Sequence, residues 1–170
     1  MLPDLSSFSV KGLLQLEAGV VSELRSRGLV RTNNKPLGDI AEQIVLAARG
    51  GALEPNSARS HDVTDSEGRR IQVKAMGTRS VGRSGQFSSF RSFDFDTAVF
   101  LVFEANTFDL ALAREVAASD IEAVAPYSAH TNGRAVTLRK IENLGFDVSQ
   151  EMRNAYESLD GEVCEWRFNV

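Results

Sequence analysis

The sequence predicts a single α/β domain, because three of its segments have distinct hydrophobic spacings. Residues 36–49 carry apolar side chains at helical spacing, residues 62–74 combine strand residues with turn chemistry, and residues 95–103 are an almost continuous apolar run. Such a run is typical of a central strand that is buried on both faces. A chain of 170 residues with 42% hydrophobic content is long enough for one core and too short for two comfortable domains.

The first element is predicted to be an amphipathic helix over residues 5–29. Gly28 and then Asn33–Asn34 mark its exit. We expect this helix to pack on the core or on a second copy of the chain. Its apolar positions are Leu13, Leu14, Leu16, Val20, Val21 and Leu24.

The second predicted helix covers residues 36–49 and ends at Gly50–Gly51. Glu42 lies in its middle. A glutamate in an arbitrary helix is usually a good helix former on a solvated face. Here the helix leads through the short loop of residues 54–60 into the hairpin, and this order places a helical acid near Asp62. The apolar positions are Leu37, Ile40, Ala41, Ile44, Val45 and Ala48.

Residues 62–74 are predicted to form a hairpin that turns at Asp65–Gly68. Because strand side chains alternate, Gln72 and Lys74 should share one face while Val73 points to the other. A carboxylate from Asp62 beside an amide and a lysine is a workable site for hydrolysis with a divalent cation. The amide oxygen of Gln72 or a neighbouring backbone carbonyl would complete the cation shell. An ordinary solvated hairpin with an outward lysine is the alternative for the same pattern.

The order of these residues resembles the PD-(D/E)XK nuclease superfamily and, within it, the Mrr-like restriction endonucleases, whose third motif often reads Gln-x-Lys. The match runs through Gly38–Glu42 on the helix, Asp62, and Gln72–Lys74, and it spans about residues 36–103. The resemblance implies a restriction-endonuclease-like core, which is a mixed central sheet flanked by helices in the order αβββαβ. It also implies that Glu42 assists metal or water binding, that Asp62 is the principal metal ligand, that Gln72 completes the metal shell and that Lys74 is catalytic.

Two departures from the family pattern bear on these roles. His61 stands where the superfamily name has proline, which is a common variation. Gln72 instead of glutamate removes one negative charge, which should weaken cation affinity and leaves a degenerate, non-cleaving domain as an alternative. The implied cofactor is Mg²⁺, for which Mn²⁺ can substitute.

The rest of the chain is predicted from weaker signals. Five elements are predicted to follow in series. They are a strand over residues 107–116, a helix that Ser119 caps, a strand over residues 135–138 after the Asn132–Gly133 turn, a helix over residues 150–159 and a terminal strand over residues 162–168. The resulting layout is a helical flank over about 1–35, a core over about 36–140, and a C-terminal helix and strand over about 141–170. Cys164, the only cysteine, is expected to be a small buried hydrophobe.

The segment after the hairpin, residues 75–93, has several arginines and no acids, and it is expected to be a mobile binding loop. Phe87 and Phe90 would either stack against bases or tuck back on the core. A second polar and basic cluster follows at residues 126–140. The predicted nucleic-acid contacts are Arg79, Arg83, Arg91, Arg59 and Arg134.

Charge and composition exclude several other functions. The net charge of −4 argues mildly against indiscriminate DNA binding, but the basic residues gather between 59 and 91 while the acidic surplus follows residue 142. One cysteine allows no internal disulfide and no cysteine-based zinc cluster, and His61 and His130 lack metal-ligand spacing. The sequence contains no nucleotide-binding glycine motif, serine-hydrolase elbow, membrane-length apolar run or secretory signal, so a cytoplasmic protein is expected.

Together with the residues of the hairpin, the PD-(D/E)XK resemblance implies a Mg²⁺-dependent DNA endonuclease of restriction or genome defence. One such site cuts one strand, so a homodimer is the simplest way to cut a duplex. Two alternatives stay open: a non-catalytic nucleic-acid-binding or partner-recruiting domain on the same fold, and an RNA-directed nuclease.

Overall fold

The computed structural model describes residues 4–8, 10–31, 36–55, 60–78, 85–104 and 107–166. By internal contacts the chain divides into two units, Met1–Ile40 and Ala41–Val170. In the described residues, the helices are α1 (Val10–Ser26), α2 (Leu37–Arg49), α3 (Ala118–Val124), α4 (Leu138–Ile141) and α5 (Ser149–Trp166). The strands are β1 (Ala52–Leu53), β2 (Val63–Thr64), β3 (Arg70–Gly77), β4 (Thr97–Phe103), β5 (Leu110–Ala117), β6 (Tyr127–Ser128), β7 (Gly133–Arg134) and β8 (Phe146–Asp147).

The first unit contains a short 3-10 helix, Leu5–Ser7, and the long helix α1. Asp4 caps the 3-10 helix by accepting a hydrogen bond from the Ser6 N–H at 3.0 Å. The chain leaves α1 through Gly28, whose φ of 73° is a left-handed conformation that favours glycine. The predicted N-terminal helix is therefore confirmed with a shorter extent, and Asn33–Asn34 lies outside the described residues.

Helix α2 confirms the second predicted helix. Its side chains at Ala41, Ile44 and Val45 are fully buried, as the helical spacing of apolar residues requires. Gly50 follows with a φ of 68°, and its N–H donates to the Leu46 carbonyl at 2.8 Å, which satisfies one of the last carbonyls of the helix.

A six-stranded sheet in the order β1-β2-β3-β4-β5-β8 forms the centre of the second unit. Strands β3 and β4 are parallel, and the other neighbouring strands are antiparallel, so the sheet is mixed. Residues 98–103 of β4 are all buried, which suits a central strand of β-branched and aromatic residues that is covered on both faces. The predicted α/β class with a mixed sheet flanked by helices is confirmed.

The region after β5 differs from its prediction. Helix α3 begins at Ala118, and the capping position is Ala117, which makes no side-chain cap, so Ser119 is not the cap. The Asn132–Gly133 turn is confirmed: Asn132 has a φ of 45° and joins β6 to β7. The strand predicted over residues 135–138 is wrong, because Thr137 forms only an isolated bridge with Gln86 and Leu138 already begins α4.

The C-terminal prediction is wrong in its last element. Helix α5 continues from Ser149 to Trp166, so residues 162–166 are helical and Cys164 lies on a helix. Residues 167–168 of the predicted strand lie outside the described part. The alternation of Val163, Cys164 and Trp166 suggested a strand, but helices tolerate one interior glycine, here Gly161, at a cost of about 1 kcal/mol. Among the described helices, none is both long and apolar enough to span a bilayer.

Candidate functional site

The site is built on the hairpin of β2 and β3. Val63 pairs with Ile71 and Thr64 with Arg70, so the predicted hairpin is confirmed. The turn closes because the carboxylate of Asp65 accepts hydrogen bonds from the N–H groups of two residues that follow it, Glu67 at 2.9 Å and Arg69 at 2.8 Å. Gly68 completes the turn with a φ of 81°.

Asp62 immediately precedes β2 and is fixed by main-chain hydrogen bonds. Its N–H donates to the Ile71 carbonyl at 3.0 Å, and its carbonyl accepts from the Glu54 N–H at 2.8 Å. Its side chain reaches β3, where Oδ2 accepts from the Val73 N–H at 2.7 Å and also from the Gln72 side-chain amide. The carboxylate is therefore held against β3 beside Gln72.

The side chains of β3 alternate as predicted. Ile71 and Val73 are buried, whereas Gln72 and Lys74 on the opposite face are half-buried. Asp62 and Gln72 are in direct contact, and Lys74 lies one side-chain position further along the same face. The structure thus brings three of the four predicted catalytic side chains to one face of the hairpin.

The Lys74 ammonium has a defined environment. Nζ donates to Ser88 Oγ at 3.2 Å and to the Ser89 carbonyl at 3.4 Å, and it lies 4.8 Å from the centre of the Phe90 ring. Burial lowers the pKa of Lys74 below its ordinary value; the Asp62 carboxylate acts in the opposite direction, and Arg91 lowers the pKa further. The lysine is therefore easier to deprotonate than a lysine in water.

The segment that surrounds Lys74 was predicted as a mobile binding loop. Its described part is anchored, since the Phe87 N–H donates to the Val136 carbonyl at 3.0 Å, and Phe90 exchanges main-chain hydrogen bonds with Arg134. Phe87 and Phe90 are almost fully buried and pack with Phe100. The base-stacking interpretation of these two phenylalanines is therefore wrong, and the alternative that they pack on the core is confirmed.

Ser88 and Ser89 are contacts that the sequence analysis missed. They lie 14 and 15 residues after Lys74, so no local pattern pairs them with it. Ser88 contributes its hydroxyl, whereas Ser89 contributes its main-chain carbonyl, which any residue could supply. The available signal was therefore one small polar residue, Ser88, next to the buried Phe87.

Glu42, the fourth predicted catalytic residue, lies half-buried on α2, next to the fully buried Ala41. The described residues contain no group of three or more Asp, Glu, His or Cys side chains that could hold a metal ion. The predicted metal ligands contain only two carboxylates, those of Glu42 and Asp62, with the amide of Gln72 as the third ligand. The metal roles of these residues stay predictions.

His61 forms hydrogen bonds within its own loop. Its Nδ1 lies 2.8 Å from Ser60 Oγ, and its Nε2 lies 3.0 Å from Thr64 Oγ1 and 3.3 Å from Glu54 Oε1. Thr64 in turn donates to Glu54 at 2.6 Å, and this hydrogen bond is the main reason that the pKa of Glu54 is lowered. His61 is therefore a hydrogen-bonding loop residue, and the network braces the loop on which Asp62 lies.

The predicted nucleic-acid contacts have different outcomes. Arg59, Arg79 and Arg83 lie outside the described residues, and Arg91 is exposed. Arg134 is half-buried, and its Nη1 donates to the Ala125 carbonyl at 2.8 Å, which satisfies the end of α3. The structure therefore gives Arg134 a structural role, and DNA contact by all five arginines stays a prediction.

Two other arginines of the predicted basic face are engaged by acids. Arg69 pairs with the buried carboxylate of Asp65 at 2.8 Å. Arg70 pairs with Asp94 and with Asp96. These pairs reduce the net positive charge that the sequence suggested for the hairpin side of the sheet.

Comparison with known proteins does not identify a family for this chain. No protein-family model matches the chain, and no curated protein matches it. Among solved structures, the chain is similar to a bacterial homing endonuclease, I-Ssp6803I, with 18% sequence identity, a TM-score of 0.43, and coverage of 81% of this chain and 99% of the other. The PD-(D/E)XK and Mrr-like resemblance stays a prediction.

Proposed function

We propose that the chain is a metal-dependent endonuclease that hydrolyses phosphodiester bonds in DNA, in restriction or genome defence. The observation that carries the proposal is the meeting of Asp62, Gln72 and Lys74 on one face of the hairpin. An anionic oxygen, a neutral amide and an amine at one place suit a reaction in which negative charge develops on a phosphate.

Lys74 is proposed to stabilise that charge or to activate the attacking water. Its ammonium is half-buried and close enough to Asp62 for the carboxylate to raise its pKa, although burial lowers the pKa more strongly. A cation in such a poorly solvated place interacts with a phosphate more strongly than a cation in water. Because β3 pairs with the buried strand β4 along its length, Lys74 is presented from a rigid element.

The donor set fits a hard divalent cation such as Mg²⁺, since such ions take oxygen ligands from carboxylates and amides. Asp62 and Gln72 would hold it, and Glu42 is proposed to assist from α2. When bound, the cation supplies Lewis-acid polarisation of the phosphate. We further propose that two copies act together, so that each cuts one strand of a duplex.

The test is cleavage of supercoiled plasmid by the full chain with Mg²⁺, Mn²⁺ or EDTA. Cleavage is expected with either cation and not with EDTA, and Lys74→Ala is expected to reduce the rate by at least about 100-fold while plasmid retention on a gel persists. Arg27→Ala is the matched control for a lost cation, because Arg27 lies outside the predicted nucleic-acid-binding segments and its guanidinium pairs with Glu23 at 2.7 Å. Full activity of Lys74→Ala, or no cleavage by the wild type, would reject the proposal.

A non-catalytic nucleic-acid-binding domain is the second candidate. It is favoured by the hydrogen bond from Gln72 to Asp62, because this bond already neutralises part of the carboxylate without a cation. DNA retention with no cleavage by either wild type or variants would support it. Labelled single-stranded RNA and duplex DNA competing in the same assay would identify an RNA-directed nuclease.

A further inference from the structure

Gln72 makes a contact that bears on how a cation enters the site. The end of its side chain faces Asp62 Oδ2, which also accepts from the Val73 N–H at 2.7 Å. An ionised carboxylate only accepts hydrogen bonds, so the amide group that faces it must be the NH₂ and not the carbonyl oxygen. In this structure Gln72 therefore presents hydrogen-bond donors to Asp62.

A divalent cation requires the opposite orientation. A hard cation binds the carbonyl oxygen of an amide and is repelled by its NH₂ group. If Asp62 and Gln72 hold one cation, the Gln72 amide must turn about its last side-chain bond so that Oε1 replaces Nε2. The turn breaks the hydrogen bond to Asp62 and places two oxygens side by side, an arrangement that only a cation between them stabilises.

We infer that the Gln72 amide is a two-position switch: it stabilises the cation-free site by donating to Asp62 and turns to coordinate the cation when one binds. The inference rests on the proposed function and deepens it. Glutamate at this position has no such resting state, since its carboxylate would repel that of Asp62 until a cation binds. Compared with glutamate at this position, Gln72 therefore lowers the affinity for the cation and raises the stability of the fold without a cation.

The test uses cation binding without DNA, so no turnover is involved. Chain labelled with ¹⁵N-glutamine is titrated with Mg²⁺ and with Ca²⁺, and the side-chain NH₂ signals are followed by NMR; Gln15, Gln43, Gln86 and Gln150 serve as internal references. The Gln72 NH₂ signals, assigned by their loss in Gln72→Glu, are expected to move to the position of a solvated amide as the cation binds. The other glutamine signals should stay.

Calorimetry and thermal melting give a second measurement. Gln72→Glu is expected to bind the cation about tenfold more tightly than the wild type and to melt about 2–4 °C lower without it, and the order of melting temperatures should reverse at saturating cation. Gln15→Glu, an exposed position on α1, is the control for the added charge and should change neither quantity measurably.

The outcomes separate the inference from the proposed function. If the cation binds and the Gln72 signals do not move, the switch is refuted while the endonuclease proposal stands, and a backbone carbonyl supplies the second oxygen. If neither the wild type nor Gln72→Glu binds a cation, both fail. If Gln72→Glu binds the cation no more tightly than the wild type, the inference that Gln72 lowers cation affinity is refuted.

Discussion

Removing Arg49 should destabilise the second unit more than any exposed ion pair would. Arg49 is the last residue of α2, and its Nη2 lies 2.5 Å from Glu115 on β5, while its Nη1 lies 2.9 Å from Glu151 on α5. Glu115 also accepts from Thr97 Oγ1 at 3.0 Å. One guanidinium therefore joins a helix end, a central strand and the C-terminal helix.

The magnitude follows from burial. The Arg49 and Glu115 side chains keep only 17% and 11% of their exposure, so Arg49→Met leaves a carboxylate with little solvent. Breaking a buried pair costs about 3–5 kcal/mol. Within the described residues Arg49 Nε is buried without a hydrogen-bond partner. Removing this unsatisfied group reduces the loss in the free energy of unfolding by about 1 kcal/mol. The expected loss is about 2–4 kcal/mol, or about 4–16 °C in Tm for a chain of this size.

Urea unfolding followed by circular dichroism measures this loss. The double variant with Glu115→Leu should recover at least about 1 kcal/mol of it, because no unpaired charge is then left in the interior. The control is Arg27→Met. This change breaks an exposed ion pair on the first unit, in which Arg27 Nη2 lies 2.7 Å from Glu23 Oε1, and it should cost less than about 0.5 kcal/mol. A loss below about 1 kcal/mol for Arg49→Met, or none recovered in the double variant, would refute the reasoning.

Three further predictions follow. Burial raises the pKa of Asp65, but the N–H groups of Arg69 and Glu67 and the Arg69 guanidinium outweigh it and hold the pKa below its ordinary value. The stability that Asp65 contributes is therefore complete above about pH 4 and lost as the pH falls toward its folded pKa, so Tm measured from pH 5 to pH 2 should fall less steeply in Asp65→Asn. Gly51→Ala should prevent folding, since a Cβ there would overlap the Thr64 carbonyl, whereas Gly68→Ala, also at positive φ but in open space, should cost only about 1 kcal/mol in urea unfolding. Lys74→Met should raise Tm at pH 7, because the lowered pKa of Lys74 means that the folded chain binds this proton less tightly than the unfolded chain; a fall in Tm would contradict this sign.

The hairpin and α2 were predictable because their signals are local. The alternation of Ile71, Gln72, Val73 and Lys74 fixes which face each side chain takes, once the turn at Asp65–Gly68 sets the register. Contact between Asp62 and Gln72 follows from that register, since two antiparallel strands bring their ends together. The sequence alone therefore led to the residues of the candidate site.

Two errors come from contacts between residues far apart in the chain, and a third comes from the extension of a helix. The count of basic residues between 59 and 91 left out Asp94 and Asp96, which lie more than twenty residues after Arg70 and pair with it. Phe90 was a candidate for base stacking until the fold placed Phe100 against it. Residues 162–166 alternate like a strand, but a helix that has already begun at Ser149 extends at little cost.

The same geometry indicates which part of the site moves and which does not. Lys74 is registered against Phe100 on the buried strand β4, so a shift of its main chain would disrupt the parallel pairing of the sheet. The main chain of Asp62 is also held by hydrogen bonds, but its carboxylate accepts from Gln72 and Val73, and a stronger ligand could replace these two bonds. Under the proposed function, adjustment to a cation or a phosphate would therefore fall to the side chains of Asp62 and Gln72, while the main chain of Lys74 would stay in place. If the proposed function is correct, the site could then be stable without a cation and could still take up a cation by side-chain movement alone, without a change in the sheet.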